Sequence, residues 1–308
     1  MASPVQPIAR LSLAAGAGVL AILLATVVFR APAPLTVLGG GPAATVVPTP
    51  PATVQTTAPA TAPQAFGAPT DAPFPQPTDP LCQLRTRHVA GGQYILSNDE
   101  YNSSASECIQ TDGNADFTVQ NSDIYSTTGS PGAYPDIYKG CAWGSCTYNS
   151  GFPVQVSAMN PGEVTTSWSI TQPGGSDMYD AAYDIWFNQT SYAPTQPNGA
   201  ELMVWLARQG GVQPFGREIA YDVSIGGDTF DVWEGAQHDW DTVSYVLVGG
   251  ANSVTGLDVD LLTQDSVDRG YIQPSWYLID VEAGFELWRG GAGLATNSFS
   301  VDVRGAGD

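Results

Sequence analysis

The sequence predicts an all-β fold, a sandwich or barrel with one short helix. Three observations lead to this prediction. After residue 90, glycine-, proline- and asparagine-rich turn signals recur at short intervals between strand-like runs. Several of these runs alternate apolar and polar residues with the period of two expected of a strand. Only residues 256–270 combine apolar residues at helical spacing with glycines at both ends. Regular short strands of this kind are typical of sandwiches and barrels.

The first element, residues 1–30, is predicted to be an export element. The stretch from Leu11 to Phe29 carries no charge and is flanked by Arg10 and Arg30. It is longer than a usual signal-peptide core and about long enough to span a bilayer. We therefore expect either a signal peptide or a single membrane anchor. Both alternatives make the remaining chain extracellular, secreted or tethered to the membrane.

The second element, residues 31–80, is predicted to be a disordered linker. It holds more than half of the chain's 24 prolines, together with many alanines and threonines, and has no Trp, Tyr or Cys. Such a composition cannot bury enough apolar surface to offset the entropy lost on ordering. An extended, semi-stiff stalk is expected. The folded domain should then occupy residues 81–308.

The charge of the chain restricts its partners. There are 30 acidic and 10 basic residues, for a formal net charge of −20. Nucleic acids and anionic membrane surfaces both require basic patches, so neither is expected as a partner. A neutral polymer such as a polysaccharide meets no such repulsion.

All four cysteines lie in the predicted domain. An even number of cysteines in an exported domain indicates two disulfides, and three pairings are possible. Cys141 and Cys146 are close enough to close a tight loop, which leaves Cys82 with Cys108. Metal binding is the alternative, but no histidine lies near these cysteines. We expect neither a metal nor a cofactor.

Three predicted strands carry an informative alternation. In "AYDIWFN", Tyr183, Ile185 and Phe187 share one face, opposite Asp184 and Trp186. The run "ELMVWL" (201–206) and the run "YLIDVEAGFELW" (277–288) alternate in the same way. Each strand thus has one apolar face suited to a core. In the last run, that face is formed by Ile279, Val281, Ala283, Phe285 and Leu287.

The opposite faces of these strands mix carboxylates with tryptophans. Glu201, Met203 and Trp205 share one such face, and Asp280, Glu282, Glu286 and Trp288 share another. A cleft that cleaves sugars needs this combination, because aromatic rings lie against pyranose rings and carboxylates supply acid, base and nucleophile. The alternative is that the tryptophans are core residues and the carboxylates are solvated surface charges.

The chain resembles glycoside hydrolase family 12, the small endo-β-1,4-glucanases and xyloglucanases. The matching motifs are "YDIWF" (183–187), "ELMVWL" (201–206), "GVQPFG" (211–216), "FDVWEG" (230–235) and "WYLIDVEAGFELWRGGAGLATNSF" (276–299). Their order and number make the resemblance specific. It implies a two-sheet β-jelly roll with a concave substrate cleft, and an enzyme that cleaves cellulose, mixed-linkage β-glucan or xyloglucan. A monomer is expected.

The resemblance also implies roles for individual residues. The nucleophile of a configuration-retaining mechanism would be Glu201, the acid/base would be Glu286, and Asp184 would contact the nucleophile. In a retaining site, the two glutamate carboxyls are expected about 5–5.5 Å apart. The expected substrate-binding residues are Asn98, Tyr101, Trp143, Trp186, Met203, Trp205, Pro214, Trp233 and Trp288.

Two positions depart from the family pattern. Tyr101 stands where the family usually has a tryptophan that stacks on a distant glucose. Glu282 stands where a neutral polar residue is expected, and with Asp280 it should raise the pKa of Glu286. A non-catalytic carbohydrate-binding module on a similar jelly roll is the alternative to an enzyme. That module would not need Glu201, Glu286 and Asp184 together in a cleft.

Overall fold

The computed structural model describes residues 79–126, 129–192, 195–237 and 240–304. The predicted export segment (1–30) lies outside the described residues, as does all of the predicted linker (31–80) except Asp79 and Pro80. Both therefore stay predictions. In the described part of the chain, no helix is long and apolar enough to cross a membrane.

The described residues form eighteen strands, one α-helix and two single-turn 3₁₀ helices, Ala90–Gly92 and Val156–Ala158. The α-helix, α1, spans Val259–Asp268. In chain order the strands are β1 Leu81–Cys82, β2 Arg85–Val89, β3 Tyr94–Asp99, β4 Glu107–Gln110, β5 Phe117–Ser122, β6 Tyr134–Ala142, β7 Ser145–Cys146, β8 Val154–Gln155, β9 Val164–Thr171, β10 Met178–Asn188, β11 Ala200–Gln209, β12 Arg217–Ile225, β13 Asp228–Ala236, β14 Asp241–Leu247, β15 Ser253–Asp258, β16 Tyr277–Gly284, β17 Leu287–Arg289 and β18 Ala295–Val303.

Two large sheets contain these strands. The smaller sheet has the order β1-β4-β5-β18-β9-β15. The larger sheet has the order β12-β13-β14-β11-β10-β16-β6-β3-β2, with β17, β7 and β8 paired at the side of β10, β6 and β16. The predicted two-sheet sandwich with one short helix is confirmed.

The main core lies between the two sheets and is built from the predicted apolar faces. Tyr183, Ile185 and Phe187 of β10 have no exposed surface and belong to this core. Side chains alternate across a strand, so their neighbours in sequence point to the other side of the large sheet. We call that other side the outer face.

One predicted core residue is wrong. Ile279 lies outside the main core, and Leu278 takes its place. The reason is a β-bulge: Trp186 pairs with Asp280, but the next residue of β10, Phe187, pairs with Leu278. The extra residue, Ile279, breaks the strict period of two. Its side chain lies beside the Cys141–Cys146 loop instead.

The predicted helix is present and is the one α-helix of the described residues, but it begins later than the glycine boundary predicted. Residues 253–258 form strand β15, and the helix starts at Val259. The Asp258 carboxylate accepts hydrogen bonds from the backbone N–H groups of Asp260 and Leu261, which is a standard N-cap. An aspartate cap, rather than Gly256, therefore sets the start.

Both predicted disulfides are present. Cys82–Cys108 joins β1 to β4. Cys141–Cys146 joins β6 to β7 and closes the short loop that carries Trp143. Trp143 has a left-handed backbone conformation, with φ of 46°. Non-glycine residues seldom adopt this conformation, so the closed loop fixes a specific position for the ring.

Strand β11 has neighbours of both orientations. It is antiparallel to β10 but parallel to β14. The β12–β13 hairpin lies between β11 and β14 in the chain and forms the edge of the large sheet. This arrangement places Glu201 directly beside Thr242.

Candidate active site

Strand pairing aligns the outer-face residues into rows that run across the large sheet. The first, which we call the Glu201 row, consists of Gly235, Thr242, Glu201, Trp186, Asp280 and Gly140. The second, the Asp184 row, consists of Glu218, Trp233, Ser244, Met203, Asp184, Glu282 and Tyr138. The predicted nucleophile and its predicted partner thus lie on neighbouring strands and in adjacent rows.

Glu201 is held by two hydrogen bonds. Its Oε2 accepts one from the Thr242 hydroxyl at 2.7 Å and one from Trp240 Nε1 at 3.1 Å. Glu201 is only 7% exposed, and burial raises its pKa, while the two hydrogen bonds lower it. Bonds of this kind favour the ionised form of a carboxyl. Sequence reasoning missed both partners.

Glu286 contacts a second carboxyl, Asp180. It lies between β16 and β17, where its backbone N–H donates to Asp180 Oδ1 at 3.3 Å and its carbonyl accepts from Asp180 N at 3.2 Å. The residue is partly exposed, but burial of its carboxyl raises its pKa well above the ordinary value. The charge of Asp180, a side-chain hydrogen bond with Asp180 and the charge of Glu201 raise it further.

Asp180 is fully buried, and burial raises its pKa to about 8. Sequence reasoning missed it, although a signal was available. Asp180 stands four residues before Asp184, so the period of two puts both on the outer face of β10. Core residues Tyr179 and Ala181 confirm this alternation.

Asp184 interacts with the glutamates through charge. Burial raises its pKa well above the ordinary value, and the charges of Glu201 and Glu286 raise it further. Among the described residues, Asp184 makes no hydrogen bond to Glu201, whose Oε2 accepts from Trp240 and Thr242. Within the described part of the chain, Asp184 Oδ1 has no hydrogen-bond partner.

Further buried carboxyls extend from Asp184 toward β6. Glu282 pairs with Asp184 across β16 and β10, and Asp280 and Asp136 lie nearby. Burial, followed by the charges of Asp280, Asp136 and Asp184, raises the pKa of Glu282. The expectation that Glu282 and Asp280 raise the pKa of Glu286 is wrong. Asp180 and Glu201 are the charges that do so.

Three tryptophans pack beside the predicted nucleophile. The ring centroids of Trp186 and Trp240 are 5.2 Å apart, and those of Trp143 and Trp186 are 5.9 Å apart. All three pairs of rings meet edge to face. Trp186 is nearly buried, whereas Trp143 is half exposed. Trp143 and the partly exposed Trp240 therefore form the accessible surface of this cluster.

Four predicted substrate-binding residues form a second cluster. Met203 and Trp205 are buried, and Trp233 and Trp288 pack against them while partly exposed. Trp288 Nε1 donates to the Gly129 carbonyl at 2.9 Å. Trp205 is only 1% exposed. It therefore packs beneath the two partly exposed tryptophans and has no surface available to a ligand. Pro214 is also buried.

Asn98 is the clearest correction among the predicted substrate-binding residues. It has no exposed surface, and its Nδ2 donates to the Gln83 carbonyl at 3.0 Å. The cause is strand alternation: Leu96 lies in the core, and Asn98 faces the same side of β3. Asn98 therefore ties β3 to the segment before it and does not contact a bound sugar.

Tyr101 is half exposed, but its hydroxyl end is directed toward the site. Burial of the hydroxyl raises the pKa of Tyr101, and the charges of Glu286, Asp184, Asp99 and Glu201 raise it further. The structure therefore brings together Glu201, Glu286, Asp184 and Tyr101 but leaves out Asn98.

Two stacked sheets that carry glutamates and tryptophans together on the face opposite the core are the arrangement expected of a β-jelly-roll glycoside hydrolase. A family model described as "Glycosyl hydrolase family 12" matches residues 92–304, and the chain belongs to this family.

Named relatives agree with this assignment. A probable cellulase, Cel12b, of Mycobacterium tuberculosis is 34% identical over 41% of this chain and 82% of its own. Endoglucanase S of Pectobacterium parmentieri is 31% identical over 58% of this chain and 69% of its own. The solved structure of endoglucanase cel12A from Rhodothermus marinus is 42% identical, covers 74% of this chain and 99% of its own, and superposes with a TM-score of 0.70.

Proposed function

We propose that the protein is an endo-acting β-1,4-glucanase that retains anomeric configuration, with Glu201 as nucleophile and Glu286 as acid/base. The observation that carries this proposal is the difference between the two environments. Glu201 accepts two hydrogen bonds that favour its ionised form. Burial and the neighbouring carboxyl of Asp180 raise the pKa of Glu286 well above its ordinary value, which favours its protonated form. Neighbouring carboxyls whose pKa values are pushed apart in this way suit a base and an acid.

The chemistry follows from these protonation states. Ionised Glu201 attacks the anomeric carbon while protonated Glu286 gives its proton to the departing glycosidic oxygen. The glycosyl–Glu201 ester then reacts with a water that Glu286, now ionised, deprotonates. Burial raises the pKa of Asp184 well above its ordinary value, so this carboxyl can stay protonated beside Glu201 and leave Glu201 as the ionised member of the pair.

The proposed substrate is a neutral β-1,4-glucan: cellulose, mixed-linkage β-glucan or xyloglucan. Relatives named as cellulase, endoglucanase and xyloglucan-specific endo-β-1,4-glucanase support this range. The net charge of −20 favours a polymer without negative charge. The two disulfides support an extracellular location.

Reducing-sugar release from the three soluble polymers tests the proposal. Wild-type protein should release sugar from at least one of them, and Glu201→Gln and Glu286→Gln should each lose most of this activity while keeping the wild-type circular dichroism spectrum. Glu282→Gln is the matched control, since it replaces a buried carboxyl on the same face and should stay active. An inactive Glu282→Gln with an active Glu286→Gln would overturn the assignment of the acid. Binding of β-glucan by wild type without any release would instead indicate a carbohydrate-binding module.

A further inference from the structure

The outer face continues beyond the catalytic glutamates toward the edge strand β12. In the Asp184 row, Met203 is followed by Ser244, Trp233 and Glu218 on successive strands. Strands lie about 4.8 Å apart, so β12 is roughly 14 Å from β11. This part of the face, which we call the β12 end, lies on the far side of the catalytic glutamates from Tyr101.

Tyr221 rises from the β12 end as an exposed aromatic ring. Two β-bulges interrupt the pairing of β12 with β13 on either side of Ala220. The residue after Tyr221, Asp222, has a φ of 51°, and its backbone N–H donates to Asp231 Oδ1 at 3.1 Å. The Tyr221 ring is 69% exposed, and its hydroxyl lies near Glu218 of the Asp184 row, whose carboxylate raises the pKa of Tyr221. The bulged backbone and the position of Glu218 place the ring on the outer face.

Phe215 approaches the same end from the loop before β12. It is 52% exposed, and its ring lies against Gly235, a member of the Glu201 row. A Cβ atom at residue 235 would overlap the Phe215 ring, so the glycine makes this close approach possible. Phe215, the partly exposed Trp233 and Tyr221 thus present three aromatic side chains at the β12 end.

We propose that Phe215, Trp233 and Tyr221 form an outlying binding platform for the glucan chain, with Tyr221 at its outer limit. This proposal rests on the proposed glucanase function. The C–H faces of a pyranose ring can pack against an aromatic ring, and the Glu218 and Asp231 carboxylates can accept hydrogen bonds from sugar hydroxyls. A ring bound roughly 14 Å from Glu201 belongs to a long chain, so the platform favours polymers over short oligosaccharides.

The platform should affect long and short substrates differently. Tyr221→Ala should raise KM for soluble mixed-linkage β-glucan about three- to tenfold, since one aromatic contact contributes about this much. Its kcat/KM on 4-nitrophenyl β-cellobioside, which is too short to reach the β12 end, should stay at the wild-type value. Tyr221→Phe keeps the ring and should stay close to wild type on both substrates.

Tyr192→Ala is the matched control. Tyr192 is 74% exposed but follows β10 and belongs to neither row, so its removal should leave both substrates unaffected. An unchanged KM for β-glucan in Tyr221→Ala, or an equal loss on both substrates, would overturn the platform.

Affinity electrophoresis in gels containing β-glucan separates this proposal from the proposed function. If wild type hydrolyses neither substrate, the proposed function fails, but the platform can still be tested by binding. Wild type should then be retarded by β-glucan, and Tyr221→Ala should be retarded less. Equal retardation of the two proteins would overturn the platform.

Discussion

Replacement of Asp180 by asparagine should move the alkaline limb of the kcat/KM profile to lower pH. Of the contacting pair, Asp180 loses its proton first, with a pKa of about 8. Its negative charge then favours the proton that remains on Glu286. The asparagine side chain has nearly the same shape as that of aspartate and can still accept a hydrogen bond from the Glu286 N–H, but it carries no charge.

The size of the shift follows from the lost negative charge of Asp180. A charge in direct contact with a carboxyl shifts its pKa by about one to three units, which is about 1.4–4 kcal/mol. The pKa of Glu286 should therefore fall by about one to three units. The alkaline limb of kcat/KM reports the essential acid of the free enzyme and should move by the same amount.

Initial rates on a soluble β-glucan at low substrate concentration, measured across the pH range, provide the assay. Glu282→Gln is the control, because Glu282 is also a buried carboxyl of the outer face but its charge is not among those that raise the pKa of Glu286. Its alkaline limb should coincide with that of wild type. A limb that stays in place in Asp180→Asn, or that moves to higher pH, would refute the reasoning.

Three further predictions concern single side chains. Azide should rescue Glu201→Gly and give a product of inverted configuration, which NMR can identify; a retained product would contradict nucleophilic catalysis by Glu201. Trp240→Phe removes a hydrogen bond that lowers the pKa of Glu201, so the acid limb of kcat/KM should move up by about one unit, whereas a change in KM alone would argue against this role. Burial raises the pKa of Glu107 to about 8, so the folded state binds its proton more tightly than the unfolded state, and stability should fall as pH rises from about 4.5 to 8. Glu107→Gln should flatten this dependence in a plot of Tm against pH, and an unchanged slope would contradict it.

The alternation of side chains along the strands, with its period of two residues, predicted much of the candidate site from the sequence. It placed Asp184, Glu201 and Glu286 opposite the core, and the structure has the core faces of β10 and β11 as predicted. The same rule applied four residues earlier would have found Asp180. It failed at Ile279, because a bulge adds a residue to β16 without any turn signal in the sequence.

The partners of Glu201 could not be found in this way. Thr242 reaches Glu201 through the parallel pairing of β11 with β14, and Trp240 stands just before β14. Alternation within one strand says nothing about which strands become neighbours. The motif resemblance did not help either: it contains neither residue, and it suggested Asn98, which faces the core side of β3.

The parallel pairing of β11 and β14 also has a consequence for folding. The Glu201–Thr242 contact joins residues 41 positions apart, and the β12–β13 hairpin lies between them. Contacts that close long loops form slowly, because the entropy of closure is lost before the contact is made. The proposed nucleophile should therefore acquire these hydrogen bonds late in folding, once β14 has paired with β11. Recovery of activity during refolding would therefore lag behind the recovery of β-structure and would report the last stage of assembly.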